Sequence, residues 1–180
     1  MAIKRFFATK DNTITNAFKD GLTTRGTGSN LGAADIVEVF SIYGQASTAS
    51  SELSRALVEF DTTAVAAARS AETIPASGSV DFYLRMYDAE HIESTPRDFT
   101  LTIAAVSQSW TEGTGLDTVN YTDLGVSNWV KTNSSTNWTD QGGDFLTGSG
   151  DTLMFTSKAF DAGTEDLSVN VTSFVEEWLI

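Results

Sequence analysis

LTIAAVSQSWTEGTGLD, residues 101–117, runs an apolar, alternating segment straight into a Trp-x-Glu turn and a glycine-rich exit. A segment of this kind is a β-strand held by backbone pairing and by the side chains of one face. The Trp that ends it is large enough to dominate whatever core it enters, and its N–H usually finds a partner when buried. Trp110 is therefore read as an architectural plug and not as a ligand platform. The stretch points to binding or structure, not to chemistry.

Period-2 segments recur wherever the chain is apolar: ADIVEVFSIYG (34–44), RALVEFD (55–61), SVDFYLRMYDA (79–89) and FTLTIAAVSQSW (99–110), each bounded by turn residues. In the third, Val80, Phe82, Leu84 and Met86 share one face while Asp81, Tyr83, Arg85 and Tyr87 share the other, as a half-buried antiparallel strand requires. The first alternates less cleanly, because Ile36 falls in phase with Glu38; its core face is expected at Val37, Val39 and Ser41, with Phe40 and Ile42 turned to a second partner. DTLMFTSKAF (151–160) and EDLSVNVTSF (165–174) are weaker strands that still alternate. QASTASSE (45–52) reads as an exposed hairpin loop.

Helix is scarce. TTAVAAARSAE (62–72) has good helix formers with Asp61 or Thr62 available as the N-cap. In VTSFVEEWLI (171–180) the Ser/Thr-x-x-Glu spacing predicts a final helical turn, with Thr172 or Ser173 capping toward Glu176. From Thr111 to Gly150 the composition changes to Gly, Asn, Thr, Asp and Trp, including Trp129 and Trp138. A connection of that length is either functional or ordered by its own packing.

The pattern predicts an all-β, antiparallel fold with one or two short helices and one long Gly/Asn/Trp-containing loop. A chain of 180 residues is compatible with one domain, 1–180, burying about 70% of the surface its unfolded chain would expose. No Cys is present, which removes disulfides, thiolate zinc sites and thiol nucleophiles together. Phe6 and Phe7 are too brief an apolar run for a signal-peptide core, and nothing elsewhere approaches a span of about 20 apolar residues; synthesis in a reducing cytoplasm without membrane insertion is expected. With 24 acidic against 11 basic residues the net charge is −13, which repels phosphate backbones and anionic lipid, so no nucleic-acid partner is expected.

Candidate chemistry is sparse. The one His, His91, sits in a turn before Thr95-Pro96 and no Gly-x-Ser-x-Gly elbow accompanies it. Glu112 with Asp117, or Glu176 with Glu177, are close in sequence, but a glycosidase needs two acids flanking a sugar and sequence proximity does not supply that. No catalytic residue is assigned, and no cofactor is expected apart from calcium. Asp117, Asn120 and Asp123 in GLDTVNYTDLG, with Asp140 and Asp144 in TDQGGD, are the oxygen ligands such a hard cation would take. Four Asn-x-Ser/Thr sequons, at Asn120, Asn133, Asn137 and Asn170, are read as products of a Thr/Asn-rich composition.

In order along the chain, DNTITNAF (11–18), NLGAADIVEVFSIYG (30–44), SRALVEFD (54–61), SVDFYLRMYDA, LTIAAVSQSWTEGTGLD and EDLSVNVTSFVEEW (165–178) resemble the DNRLRE-type domains, which are related to carbohydrate-binding jelly rolls. The family pattern falls on Asn30 and Gly32, on Arg55 with Phe60 and Asp61, on Trp110 with Glu112, and on Val171, Thr172, Val175 and Trp178; Asn170 stands where the family has an acid. FFATKD (6–11) and SWTEGTGLD (109–117) look most like virion structural proteins of tailed bacteriophages, notably marine ones.

The resemblance implies a jelly-roll β-sandwich in a virion, made in the host cytoplasm: a non-enzymatic structural module at the tail, neck or capsid surface. It would dock on other virion proteins in symmetric or homo-oligomeric copies, through strand edges and the 111–150 loop, with Trp129 or Trp138 as anchors. The alternative is a carbohydrate-binding module in which Tyr121, Trp129 and Trp138 stack on host polysaccharide. Relatives continue past the equivalent of Trp178 with another strand, so the 180 residues are expected to be the leading part of a longer chain.

Overall fold

The computed structural model describes residues 3–90, 94–116, 125–146 and 154–180. Their regular structure is mostly strand, with seven strands and two short helices: β1 (Ala8–Thr15), β2 (Ser41–Tyr43), β3 (Ser51–Phe60), α1 (Thr62–Ser70), β4 (Tyr83–Met86), β5 (Phe99–Ala104), β6 (Phe155–Phe160), β7 (Leu167–Asn170) and α2 (Thr172–Trp178). The all-β expectation holds at that level. Every strand pairing is antiparallel, in one three-stranded sheet, β1-β3-β2, and two two-stranded sheets, β4-β7 and β5-β6.

The chain forms two compact units, each assembled from separate segments. The first comprises the described residues of Met1–Phe6, Asp61–Ala105 and Phe145–Ile180; the second, Phe7–Phe60 and Val106–Asp144.

In the first unit the sequence pattern is obeyed closely. Regular strand is limited to Tyr83–Met86 within the expected 79–89, yet Val80, Phe82, Leu84 and Met86 are half-buried while Asp81, Tyr83, Arg85 and Tyr87 are exposed. Leu84 and Met86 join Leu167 and Val169 of β7 in one apolar cluster with Phe99, Leu101, Ile103 and Phe160 of β5-β6. Within it the Phe99 and Phe160 rings, opposite each other in register, stack with centroids 4.9 Å apart. α1 begins where Asp61 accepts from the Thr63 and Ala64 amides at 2.9 and 3.3 Å, and it buries Val65 and Ala68 beside Ile74, Phe82 and Val175.

α2 starts differently from expectation. Val171 occupies the N-cap without a side-chain bond, because the Thr172 hydroxyl accepts from the Phe82 amide at 2.8 Å instead. The helix is fastened by tertiary contacts: Arg69 of α1 donates twice to the Glu176 carboxylate, at 2.9 and 2.7 Å. The Arg69 donation holds that carboxyl below its ordinary range.

The second unit is built on β3, the central strand of its sheet. β1, which lacks an apolar alternation, pairs with it along its length, with an irregularity between Ala8 and Lys10. The expected 34–44 strand is regular only at Ser41–Tyr43, and Val39, expected in the core, is exposed. The 45–50 stretch is the predicted hairpin connection, but Ser51 and Glu52 belong to β3 and Glu52 is buried. Among the described residues no helix is long and apolar enough to cross a membrane.

Candidate functional site

Two of the residues singled out in the sequence, Arg55 and Trp110, meet on one face of β1-β3. Asn12 lies opposite Leu57 and Ile14 opposite Arg55 in the antiparallel register, so these four share a face. Leu57 and Ile14 pack there with Trp110, Trp129 and Trp138. The Arg55 guanidinium lies 5.1 Å from the Trp129 ring centroid and donates to the Gly142 carbonyl at 2.7 Å; burial pulls its pKa down from the ordinary arginine value. Gly142 holds φ +93°, and a Cβ there would stand 2.7 Å from Trp129 Cζ2 and 2.8 Å from the Arg55 guanidinium. A side chain at that position is excluded twice, by backbone conformation and by space.

This placement corrects the expectation for the long loop. Trp129 and Trp138 are 5% and 4% exposed, core side chains rather than anchors presented to a partner. Residues 125–146 explain why: they bond to themselves and to the sheet's surroundings. The Trp138 amide donates to the Val130 carbonyl, the Gly142 amide to the Trp129 carbonyl and the Trp129 amide to the Thr27 carbonyl. The Trp138 indole N–H donates to the Asn128 carbonyl at 2.9 Å, and the Asn128 side chain accepts from the Val130 and Lys131 amides. With these backbone groups paired within the segment and to its neighbours, the segment can bury its large rings, as a buried loop must.

A buried amide network continues the site. The Asn12 amide donates to the Ser127 hydroxyl at 2.7 Å and its oxygen accepts from the Leu31 amide at 3.0 Å. Asn30 Oδ1 accepts from the Gly115 amide at 3.0 Å, and the Gly113 backbone runs so close that a Cβ there would overlap the Asn30 amide. The Asn-x-Gly and Trp-x-Glu portions of the sequence pattern thus meet in one polar core, with Glu112 accepting from the Asp11 amide at 2.8 Å. Burial, together with the charge of Glu112, raises the Asp11 pKa.

The oxygen ligands expected for calcium divide. Asp117, Asn120 and Asp123 lie outside the described residues, as do Tyr121 and His91. Asp140 is exposed. Asp144 is buried and its carboxylate is turned to protein donors: the Thr139 and Asp140 amides at 2.8 and 2.7 Å and, at very short range, the Gln108 side chain. Burial is the largest influence on it and pushes its pKa up, but the Asp140, Thr139 and Gln108 bonds together bring it below the ordinary value. Asp144 is a turn-closing residue, its oxygens occupied. Among the described residues no three His, Cys, Asp or Glu side chains cluster as a metal site would need.

What sequence reasoning missed is at the surface of the same sheet. β2 and the segment before it expose Ile36, Val39, Ile42 and Tyr43. Alternation in ADIVEVFSIYG assigned one of these, Val39, to a core and turned Ile42 to a second partner, and only the pairing of 40–44 along β3 reveals an edge. No protein-family model matches the chain, and no curated protein or solved structure matches it.

Proposed function

We propose that the chain is a non-enzymatic structural module of a bacteriophage virion, folded as a jelly roll and attached at the tail, neck or capsid surface. The observation that carries this reading is the exposed edge of the sheet, where β2, paired on one side only among the described residues, exposes Ile42 and Tyr43 and the segment before it exposes Ile36 and Val39. Edges of this kind are normally blunted unless something pairs with them, and exposed apolar groups gathered in one place mark interaction surfaces. The resemblance to virion proteins supplies the biological setting. Calcium stays outside the reading.

Docking runs through β2 rather than through Trp129 and Trp138, whose burial gives a rigid base to the sheet. Symmetric copies on a particle would present many such edges at high local density, a setting in which the net charge of −13 keeps unassembled copies apart. The test is a cryo-EM map of purified particles. Density for this module with β2 against a neighbouring virion protein is the expected result; native protein found only in host cytoplasm and never in particles overturns it.

One observation favours a second reading, a carbohydrate-binding module recognising host surface polysaccharide. Tyr83 and Arg85 on β4 and Tyr87 just after it are an exposed set, with the tyrosines 57% and 69% exposed and the Arg85 guanidinium 5.9 Å from the Tyr87 ring centroid. These rings, rather than Trp129 and Trp138, would stack on sugar. A polysaccharide array probed with the protein and with a Tyr83→Ala/Tyr87→Ala variant decides it: binding lost in the variant supports a glycan role, and no binding by the parent removes it.

A further inference from the structure

We propose that the outer edge of β2 is a strand-addition site for an extended, basic segment of a partner polypeptide. The proposal rests on the assembly reading for the setting in which that partner is met, and on the geometry of β2 for how it is held.

The backbone comes first. The Ser54 amide donates to the Phe40 carbonyl at 3.0 Å and the Gly44 amide donates to the Ser50 carbonyl at 2.7 Å, with Ile42 opposite Glu52 between them. In an antiparallel ladder bonded residues alternate along a strand. Phe40, Ile42 and Gly44 therefore point their N–H and C=O groups at β3, and Ser41 and Tyr43 point theirs away from it, at the open side. The opposite edge of the sheet is occupied: the Leu31 amide donates to the Thr13 carbonyl and the Asp11 amide to Glu112. Within this sheet, among the described residues, β2 is the edge that offers a ladder to an incoming chain.

The side chains then select the occupant. Ile42 is 39% exposed and Tyr43 74%, so an added strand meets apolar surface beside its backbone bonds. Residues 34–44 contain no Lys, Arg or Pro, the residues with which sheet edges are usually protected. They do contain Asp35 and Glu38, both exposed. A second copy of this chain would add two net charges of −13 to one complex, which like-charge repulsion opposes. A partner segment alternating aliphatic and Lys or Arg residues places its aliphatics on the face that carries Val39 and Tyr43 and its cations on the face that carries Glu38, in the mode by which extended peptides augment sheets.

The experiment uses the full chain, isotopically labelled, with three synthetic peptides: alternating Val and Lys, alternating Val and Glu, and the Val/Lys peptide N-methylated at alternate residues. With Val/Lys, hydrogen exchange at the Ser41 and Tyr43 amides is expected to slow about tenfold or more, and affinity to fall about tenfold between about 0.05 and about 0.5 M salt. Val/Glu and the N-methylated peptide are expected not to protect these amides. Equal binding by either control, or protection elsewhere, overturns the proposal. Charge reversal at two exposed positions, Asp35→Lys/Glu38→Lys, leaves the sheet bonds in place and is expected to switch preference to Val/Glu; unchanged preference also overturns it. No Val/Lys binding by a protein that is found in particles sinks the edge proposal and leaves the assembly reading standing, whereas edge binding by a protein absent from particles does the opposite.

Discussion

The two units bury different chemistry. All twelve of the buried polar side chains among the described residues, Asn12, Asn30, Glu52, Asn128 and Asp144 among them, fall in the second unit, and none falls in the first. The first unit closes on aliphatic and phenyl groups such as Leu167, Val169, Phe160 and Phe174. The second closes on three Trp rings and a set of amides, hydroxyls and carboxylates that bond to one another and to backbone. Apolar packing tolerates change in proportion to volume. A satisfied polar network does not, since removing one member strands another. The second unit should therefore respond to small chemical edits that the first absorbs.

The largest effect is expected at the ring the long segment buries. Trp138→Ala removes most of a core side chain and should cost about 3–5 kcal/mol in denaturant unfolding. Trp138→Phe keeps much of the ring but leaves the Asn128 carbonyl without its indole donor, and should still cost about 1–3 kcal/mol.

Next comes a matched pair. Asn30→Asp conserves shape yet puts a carboxylate among the buried amides, and should cost about 1–3 kcal/mol or more. Leu167→Met, equally conservative in the apolar unit, should cost under about 1.5 kcal/mol. Equal costs, measured by urea titration of both variants, would erase the contrast between the units.

Acid titration sharpens it further. The bonded Asp144 carboxyl has a folded pKa below its unfolded value, so its contribution is complete above the unfolded pKa, about 3.9, and is lost as pH falls through the lower folded value. Asp144→Asn should lower stability at pH 7 by about 1–3 kcal/mol and flatten the decline below about pH 4; a parallel decline in parent and variant would count against the assignment. The smallest effect is expected on the exposed face of β4, where Tyr83→Ser should change thermal stability by less than about 0.5 kcal/mol.

Legibility followed the same division. In SVDFYLRMYDA the alternation told inward from outward residues correctly, and Asp61 was readable as the α1 cap, because apolar burial and capping leave periodic and local signals. β1 was not read as a strand. Its second half, Asn12 to Thr15, is buried on both faces, so its interior-facing residues include Asn and Thr, and hydrogen-bond partners more than a hundred positions away, such as Ser127, leave no mark in a local window. Glu52 hid in a serine-rich stretch for a similar reason: it is buried while accepting from the Phe18 amide at 2.7 Å. The candidate site was half visible. Trp110 was read as core, whereas Trp129 and Trp138 were read as surface anchors, since a Gly- and Asn-rich context resembles an exposed loop until its internal pairing is seen.

The discontinuity of both units carries a consequence for synthesis on the ribosome. β1 emerges early, but the Trp129 and Trp138 rings that cover its face come more than a hundred residues later, and α1 emerges long before its Arg69 can meet Glu176. Neither unit can close on its amino-terminal segment alone. The nascent chain must carry the Ile14 and Leu57 face of β1-β3 without its Trp129 and Trp138 cover until those residues are made, which makes completion of the 125–144 segment, rather than any local helix or turn, the event that closes the second unit.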